Sequence, residues 1–75
     1  MELKEKDTMK DVLLSLKKHG KPVLILLRSG KSYTGIIQTV GMHCIALQLR
    51  GDRSFFDAMI RIEDIAAAEV QVRTS

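Results

Sequence analysis

The side chains that could perform chemistry in this chain are few, and their spacing argues against catalysis. His43 precedes Cys44, but neighbouring side chains of an extended segment point to opposite faces, so the two are poorly placed as base and nucleophile. Glu63 and Asp64 are an adjacent carboxylate pair with the same defect, and a role in a turn or helix cap is expected for them. We therefore expect no enzymatic activity, no metal site and no cofactor, with Cys44 a small buried apolar residue.

A second short motif, Gly30-Lys31-Ser32, matches the end of a phosphate-binding P-loop. That loop requires a glycine five residues before its Gly-Lys pair, where this chain has Ile25, and it requires a helix afterwards. A strand pattern follows here instead, so nucleotide hydrolysis is excluded.

Basic residues are concentrated at residues 17–21, which read Lys-Lys-His-Gly-Lys. The chain has 12 basic and 9 acidic residues, a net charge of +3, and the basic excess lies in its first half. Such a cluster either complements the dipole of a helix that ends there or contacts the phosphates of a polyanion. The residues alone leave both interpretations open.

One helix is predicted before these lysines. Its apolar stripe has helical spacing and consists of Met9, Val12, Leu13 and Leu16. Asp7 or Thr8 could cap its start, whereas Gly20 and Pro22 are typical of residues just beyond a helix end. The helix is therefore expected at about residues 7–18.

The remainder of the chain predicts five short strands, at residues 23–27, 31–40, 44–49, 54–62 and 65–72. Gly35 lies within the second strand, where a glycine usually marks a bulge or a sharp bend. The alanines at residues 66–68 are compatible with a helix or a strand. The pattern indicates a mainly β protein with an N-terminal helix, in one domain over residues 1–75.

Chain length sets a limit on stability. With 75 residues, a single core seldom supplies more than about 3–5 kcal/mol, and one cysteine excludes an intrachain disulfide. A small bent sheet also has two unpaired edges, which are a liability unless another strand covers them. Joining the fourth strand of one copy to the fifth strand of the next would pair both edges and close a ring.

Composition excludes disorder and a membrane span. Apolar residues make up 45% of the chain, yet no apolar run approaches the roughly 18 residues that cross a bilayer. Residues 1–6 alternate in charge and do not form the apolar stretch of a signal peptide. We therefore expect a cytoplasmic protein without membrane contact.

The order of glycines and aliphatic residues resembles the first motif of the Sm-like (LSm) family, and the helix resembles its Hfq-type branch. The first motif is matched by Pro22, Val23, Ile25, Leu27, Gly30, Gly35 and Ile37, then Ile45 and Leu47. Residues 60–65 resemble the second motif, and the helix is matched by Leu13, Leu16, Lys17 and Lys18. The resemblance implies a strongly bent five-stranded antiparallel barrel of the SH3-like type, assembled into a hexameric or heptameric ring that binds single-stranded RNA.

The resemblance also implies where RNA binds. In the family, an Asp, then an aromatic residue or His, then an Asn hold and stack a base in one loop, and Gly41, His43 and Ile45 stand at those places here. Arg61 matches an arginine that packs on a base in the second loop. Met42 of the first loop and three lysines complete the expected set of RNA-binding residues. The set consists of Lys17, Lys18, Lys31, Gly41, Met42, His43 and Arg61.

Two functions remain open at this stage. His and Arg planes that stack bases, together with a cationic surface, favour RNA binding without catalysis. However, the Asp and Asn of the family pocket are replaced, and Glu63 and Asp64 stand near the place of a Lys-His pair. The alternative is therefore an oligomeric scaffold of the same fold that has lost RNA binding and contacts proteins.

Overall fold

The computed structural model describes residues 8–71 and contains one helix followed by five strands in an antiparallel sheet. The elements are α1 (Met9–His19), β1 (Val23–Leu27), β2 (Ser32–Val40), β3 (Cys44–Leu49), β4 (Asp57–Arg61) and β5 (Ile65–Val70). Short 3-10 turns cover Gly51–Arg53 and Ile62–Asp64. The predicted fold class is confirmed, including a strand at the alanine-rich segment.

Local side-chain chemistry sets both ends of α1. The Thr8 hydroxyl accepts a hydrogen bond from the Asp11 backbone N–H, and the Asp11 carboxylate accepts one from the Thr8 N–H, which forms a capping box. Gly20 ends the helix in the left-handed conformation, with φ of 68°. Asp7, the alternative cap, lies outside the described residues. The last strand ends at Val70 and not at residue 72, because Val70 pairs with Val23, the first residue of β1.

Strand β2 organises the sheet, whose order is β4-β3-β2-β1-β5. Residues 32–35 of β2 pair with β1, and residues 35–40 pair with β3. Gly35 belongs to both sets and faces Val23 on one side and Leu49 on the other. A Cβ atom at Gly35 would overlap the carbonyl oxygen of Gln48, so only glycine allows β2 and β3 to approach this closely.

The predicted irregularity in β2 is present but displaced from the glycine. The register between β2 and β3 shifts between Ile37 and Thr39, not at Gly35. The glycine therefore serves close backbone packing, and the bulge follows it along the strand.

Both predicted boundaries of β4 and one burial prediction are wrong. Strand β4 begins at Asp57 and not at residue 54, because turn hydrogen bonds such as that from the Phe56 N–H to the Arg53 carbonyl (2.9 Å) hold the preceding residues in a loop. It also ends at Arg61, because Ile62 starts a 3-10 turn. Cys44 is exposed and not buried, because the inward positions of β3 are those of Ile45 and Leu47.

The core between helix and sheet is entirely aliphatic. Its buried residues are Leu13, Leu16, Val23, Ile25, Ile37, Ile45, Leu47, Leu49, Ile60 and Ile65. Within residues 8–71 no polar or charged residue is buried. Between the same limits, no helix is both long enough and apolar enough to cross a membrane.

The sheet has two free edges in the isolated chain, formed by β4 and β5. Strand β4 pairs only with β3, and β5 pairs only with β1, among the strands that the structure describes. These are the two strands for which the sequence predicts pairing between copies. Their backbone groups on the outer side are available to another strand.

We expect Gly35→Ala to lower the free energy of unfolding by about 1–3 kcal/mol or more, because the new methyl group forces β2 away from the Gln48 carbonyl. Chemical denaturation at one fixed protein concentration measures the change. Thr34→Ala, at the exposed neighbouring position, is the control and should change stability by less than about 1 kcal/mol. Equal stability of Gly35→Ala and wild type would contradict the close approach.

Candidate nucleic-acid interface

A cleft of about 260 Å³ lies where the β2–β3 connection meets the turn between β4 and β5. We call it the first cleft, and its lining residues are Met42, His43, Arg61, Ile62 and Glu63. Three of the residues predicted from the sequence, Met42, His43 and Arg61, are thus brought together. They are distant in sequence, and the antiparallel pairing of β3 with β4 joins them.

Backbone hydrogen bonds determine the shape of the first cleft. The Ile62 N–H donates to the His43 carbonyl at 2.8 Å, which ties the two lining segments together. Arg61 stands directly opposite Cys44 at the end of the β3–β4 ladder. Gly41 does not line the cleft; its N–H donates to the Cys44 carbonyl at 2.8 Å and closes the turn that carries His43.

Charge in the first cleft is partly neutralised. The Arg61 guanidinium forms a salt bridge with the Glu63 carboxylate, and both side chains are about two-thirds exposed, at 65% and 66%. Such an exposed pair contributes little stability, at most about 1 kcal/mol, so it can open at low cost. Glu63 therefore competes with any anionic ligand for Arg61.

The predicted lysines lie outside the first cleft. Lys17 and Lys18 are exposed in the last turn of α1, which precedes β1, whereas Lys31 is exposed in the turn that follows β1. The length of β1, five residues or about 15 Å, separates these two groups. The turn that contains Lys31 is attached to the Ile62–Asp64 turn, because the Arg28 N–H donates to the Asp64 carbonyl at 2.8 Å.

A second cleft of about 180 Å³ lies at the opposite end of β3, against the start of β2. Its lining residues are Ser32, Tyr33, Thr34, Leu49, Arg50 and Arg53. The Arg53 guanidinium carbon lies 5.4 Å from the centre of the Phe56 ring, which is a cation–π contact. Sequence reasoning did not predict this site.

The distribution of aromatic residues was the signal that could have revealed the second cleft. The whole sequence contains three aromatics, Tyr33, Phe55 and Phe56, and none of them belongs to the buried core. Tyr33 lines the second cleft, Phe56 contacts Arg53 of its lining, and Phe55, which precedes Phe56 in the chain, is 97% exposed. Phe55 and Phe56 are exposed, whereas Tyr33 is half-buried and packs against the core, so only the two phenylalanines distinguish this surface from the aliphatic interior.

The chemistry available to both clefts is that of planar and cationic contacts. Imidazole, guanidinium and aromatic rings offer faces on which a base can stack, and arginines offer hydrogen bonds to phosphate. His43 and Cys44 are both exposed, and within residues 8–71 no hydrogen bond joins their side chains. Glu63 is engaged with Arg61.

Comparison with known proteins finds similarity in structure but not in sequence. No protein-family model matches the chain, and no curated protein matches it either. Among solved structures, the pleiotropic translational regulator Hfq superposes with a TM-score of 0.70 at 17% identity, over 85% of this chain and 100% of that one. An Hfq protein from Anabaena sp. superposes with a TM-score of 0.63 at 27% identity, over 80% of this chain and 90% of that one.

These superpositions extend over most of the chain and include proteins of the branch that the sequence motifs resemble. The order of elements agrees as well, with an N-terminal helix before a five-stranded antiparallel sheet. The chain therefore has the Sm-like fold, and its structural neighbours are Hfq proteins.

Proposed function

We propose that this protein binds single-stranded RNA without catalysis, as a ring of identical subunits, with the first cleft of each subunit receiving a base. The observation that carries the proposal is the convergence of His43, from the β2–β3 connection, and Arg61, from the end of β4, two planar side chains that line one cleft. Between such planes a base gains about 1–3 kcal/mol from stacking. The Hfq-like fold supports the same function.

Ring assembly rests on the two unpaired strand edges. Within residues 8–71 the core contains ten aliphatic residues, and a single core in a chain of this size seldom supplies more than about 3–5 kcal/mol, which pairing between copies would increase. Pairing β4 of one copy with β5 of the next satisfies both edges of every subunit. Several clefts around one ring would then bind a single RNA strand together, which raises the overall affinity.

The accessible cations would supply contacts that do not depend on sequence. Lys17, Lys18 and Lys31 are exposed, and their charges can attract the phosphates of a strand that passes from one subunit to the next. The lone exposed thiol of Cys44 is compatible with a reducing cytoplasm, where we propose that the protein acts.

An oligomeric protein-binding scaffold is the second candidate. The Arg61–Glu63 salt bridge favours it, because the arginine of the first cleft already has an anionic partner. Exposed methionines also favour it, since Met42 and Met59 are 74% and 72% exposed. Absence of RNA binding by an intact ring would support this candidate over the first.

Replacing His43 or Arg61 by alanine should weaken binding of short oligo(U) or oligo(A) RNA, each by about 1–3 kcal/mol of binding free energy per stacked base. Fluorescence anisotropy of labelled RNA at low salt measures the affinity. The matched controls are His19→Ala and Arg28→Ala, which remove exposed side chains of the same types away from the cleft lining. If the control variants lose as much affinity for RNA as the cleft variants, the first cleft is not the binding site.

Glu63→Gln should tighten RNA binding by about 1 kcal/mol, because it releases Arg61 and removes a charge that repels phosphate. Its effect on the free energy of unfolding should stay below about 1 kcal/mol, since the salt bridge is exposed. Asp64→Asn in the same turn is the control, because Asp64 makes no salt bridge within the described residues. An unchanged affinity in Glu63→Gln would show that Arg61 does not contact RNA.

Sedimentation velocity should show a discrete particle with six or seven times the 8.4 kDa mass of one chain. This mass should stay constant as the protein concentration is varied. Protein from which RNA has been removed should show the same mass. A folded monomer at every concentration would contradict the edge-pairing argument and the ring.

A further inference from the structure

The Ile62–Asp64 turn brings a carboxylate to the first cleft. Glu63 lies in the middle of this turn and lines the cleft together with His43 and Arg61. Its side chain is about two-thirds exposed, and its carboxylate forms the salt bridge with the Arg61 guanidinium. A carboxylate at this place repels phosphate, but it can accept hydrogen bonds from the edge of a base.

Three contacts fix the turn that carries Glu63. The Ile62 N–H donates to the His43 carbonyl at 2.8 Å, and the Arg28 N–H donates to the Asp64 carbonyl at the same distance. The Ile62 side chain also packs against the buried core. The backbone of Glu63 is thereby held between two attached neighbours, so a ligand that contacts Glu63 causes little further ordering of the chain.

The chemistry of a carboxylate selects for hydrogen-bond donors on the ligand. An ionised carboxylate has two oxygens and only accepts hydrogen bonds. Among the bases of RNA, guanine alone presents two neighbouring donors on its Watson–Crick edge, the N1–H and the N2 amino group. Uracil presents one N–H between two carbonyl oxygens, which repel a carboxylate, whereas adenine and cytosine place an acceptor nitrogen beside their amino group.

The Arg61–Glu63 salt bridge can be exchanged for contacts with such a base. The pair is exposed and weak, so it opens readily. Guanine then supplies two donors to the Glu63 carboxylate and leaves the Arg61 guanidinium free to stack on the base. With uracil, opening the pair releases Arg61 but leaves Glu63 facing carbonyl oxygens. Stacking on His43 and Arg61 is possible for every base, and Glu63 is the group that distinguishes them.

We propose that Glu63 makes the first cleft selective for guanine, with its two carboxylate oxygens accepting hydrogen bonds from N1–H and the N2 amino group while the base lies between His43 and Arg61. The inference rests on the proposed function and specifies the base that the site favours. A matched bidentate pair of this kind discriminates against a wrong base by about 5- to 150-fold. The preferred ligand is therefore a single strand with an unpaired guanine.

Hexanucleotides that differ at one base test this selectivity without the self-association of guanine-rich strands. Wild-type protein should bind UUGUUU about 5- to 150-fold more tightly than UUUUUU in a fluorescence anisotropy titration at low salt. Inosine in place of guanine lacks the N2 amino group and should lose part of this preference, whereas 7-deazaguanine keeps both donors and should retain it. Loss of the preference with 7-deazaguanine would overturn the proposal, because the N7 edge, which suits arginine, would then be the edge recognised.

Glu63→Gln should remove the preference. The amide keeps the shape of the side chain but replaces one acceptor by a donor, so the guanine strand loses its matched pair, whereas the uracil strand gains affinity as the negative charge disappears. The ratio of the two affinities should therefore fall to about one. Asp64→Asn, in the same turn but outside the lining, should leave the ratio unchanged. An unchanged ratio in Glu63→Gln would overturn the assignment of Glu63.

The variants of the first cleft also separate selectivity from binding itself. Their circular dichroism and melting curves should match those of wild type, because His43, Arg61 and Glu63 are exposed. If wild type binds neither hexanucleotide, the proposed function and the guanine selectivity both fail. If it binds them equally, and His43→Ala and Arg61→Ala weaken both complexes, the selectivity alone fails.

Discussion

The close approach of β2 and β3 at Gly35 is the constraint on which the rest of the structure depends. Because Gly35 pairs with β1 and β3 at the same time, one strand belongs to both halves of the sheet. The rest of β2 pairs with β3, and β3 pairs in turn with β4. As a result, the β2–β3 turn lies beside the turn that follows β4. A side chain at this position would separate the strands, and both clefts border β3 or its ends.

The same arrangement leaves β4 and β5 at the edges of the sheet. A buried core of aliphatic side chains packs one helix against this sheet, and within residues 8–71 the backbone groups of the outer strands have no strand partner along one side. Assembly would satisfy these groups without a disulfide or a metal. In the proposed function, binding and stability are therefore coupled. Several clefts can contact one RNA strand only if the copies assemble into a ring, and the same assembly would pair the strand edges.

The two clefts differ in how much of their positive charge is free. In the first, Arg61 forms an exposed and therefore weak salt bridge with Glu63. In the second, Arg53 lies over the Phe56 ring, and the lining residues include no carboxylate that would compensate its charge. The positive charge of the second cleft is therefore less compensated by carboxylates than that of the first.

Periodicity and capping residues in the sequence determined the helix, the five strands and the family resemblance, because these signals are local. The family resemblance also predicted His43 and Arg61 as site residues, and the fold places both in the lining of the first cleft. The start of β4, the exposure of Cys44 and the position of the bulge were decided by tertiary pairing, since turn hydrogen bonds and strand register compete with local preference. Only the folded chain brought Tyr33 beside Arg50 and Arg53, because the antiparallel pairing of β2 with β3 joins residues that no sequence spacing connects.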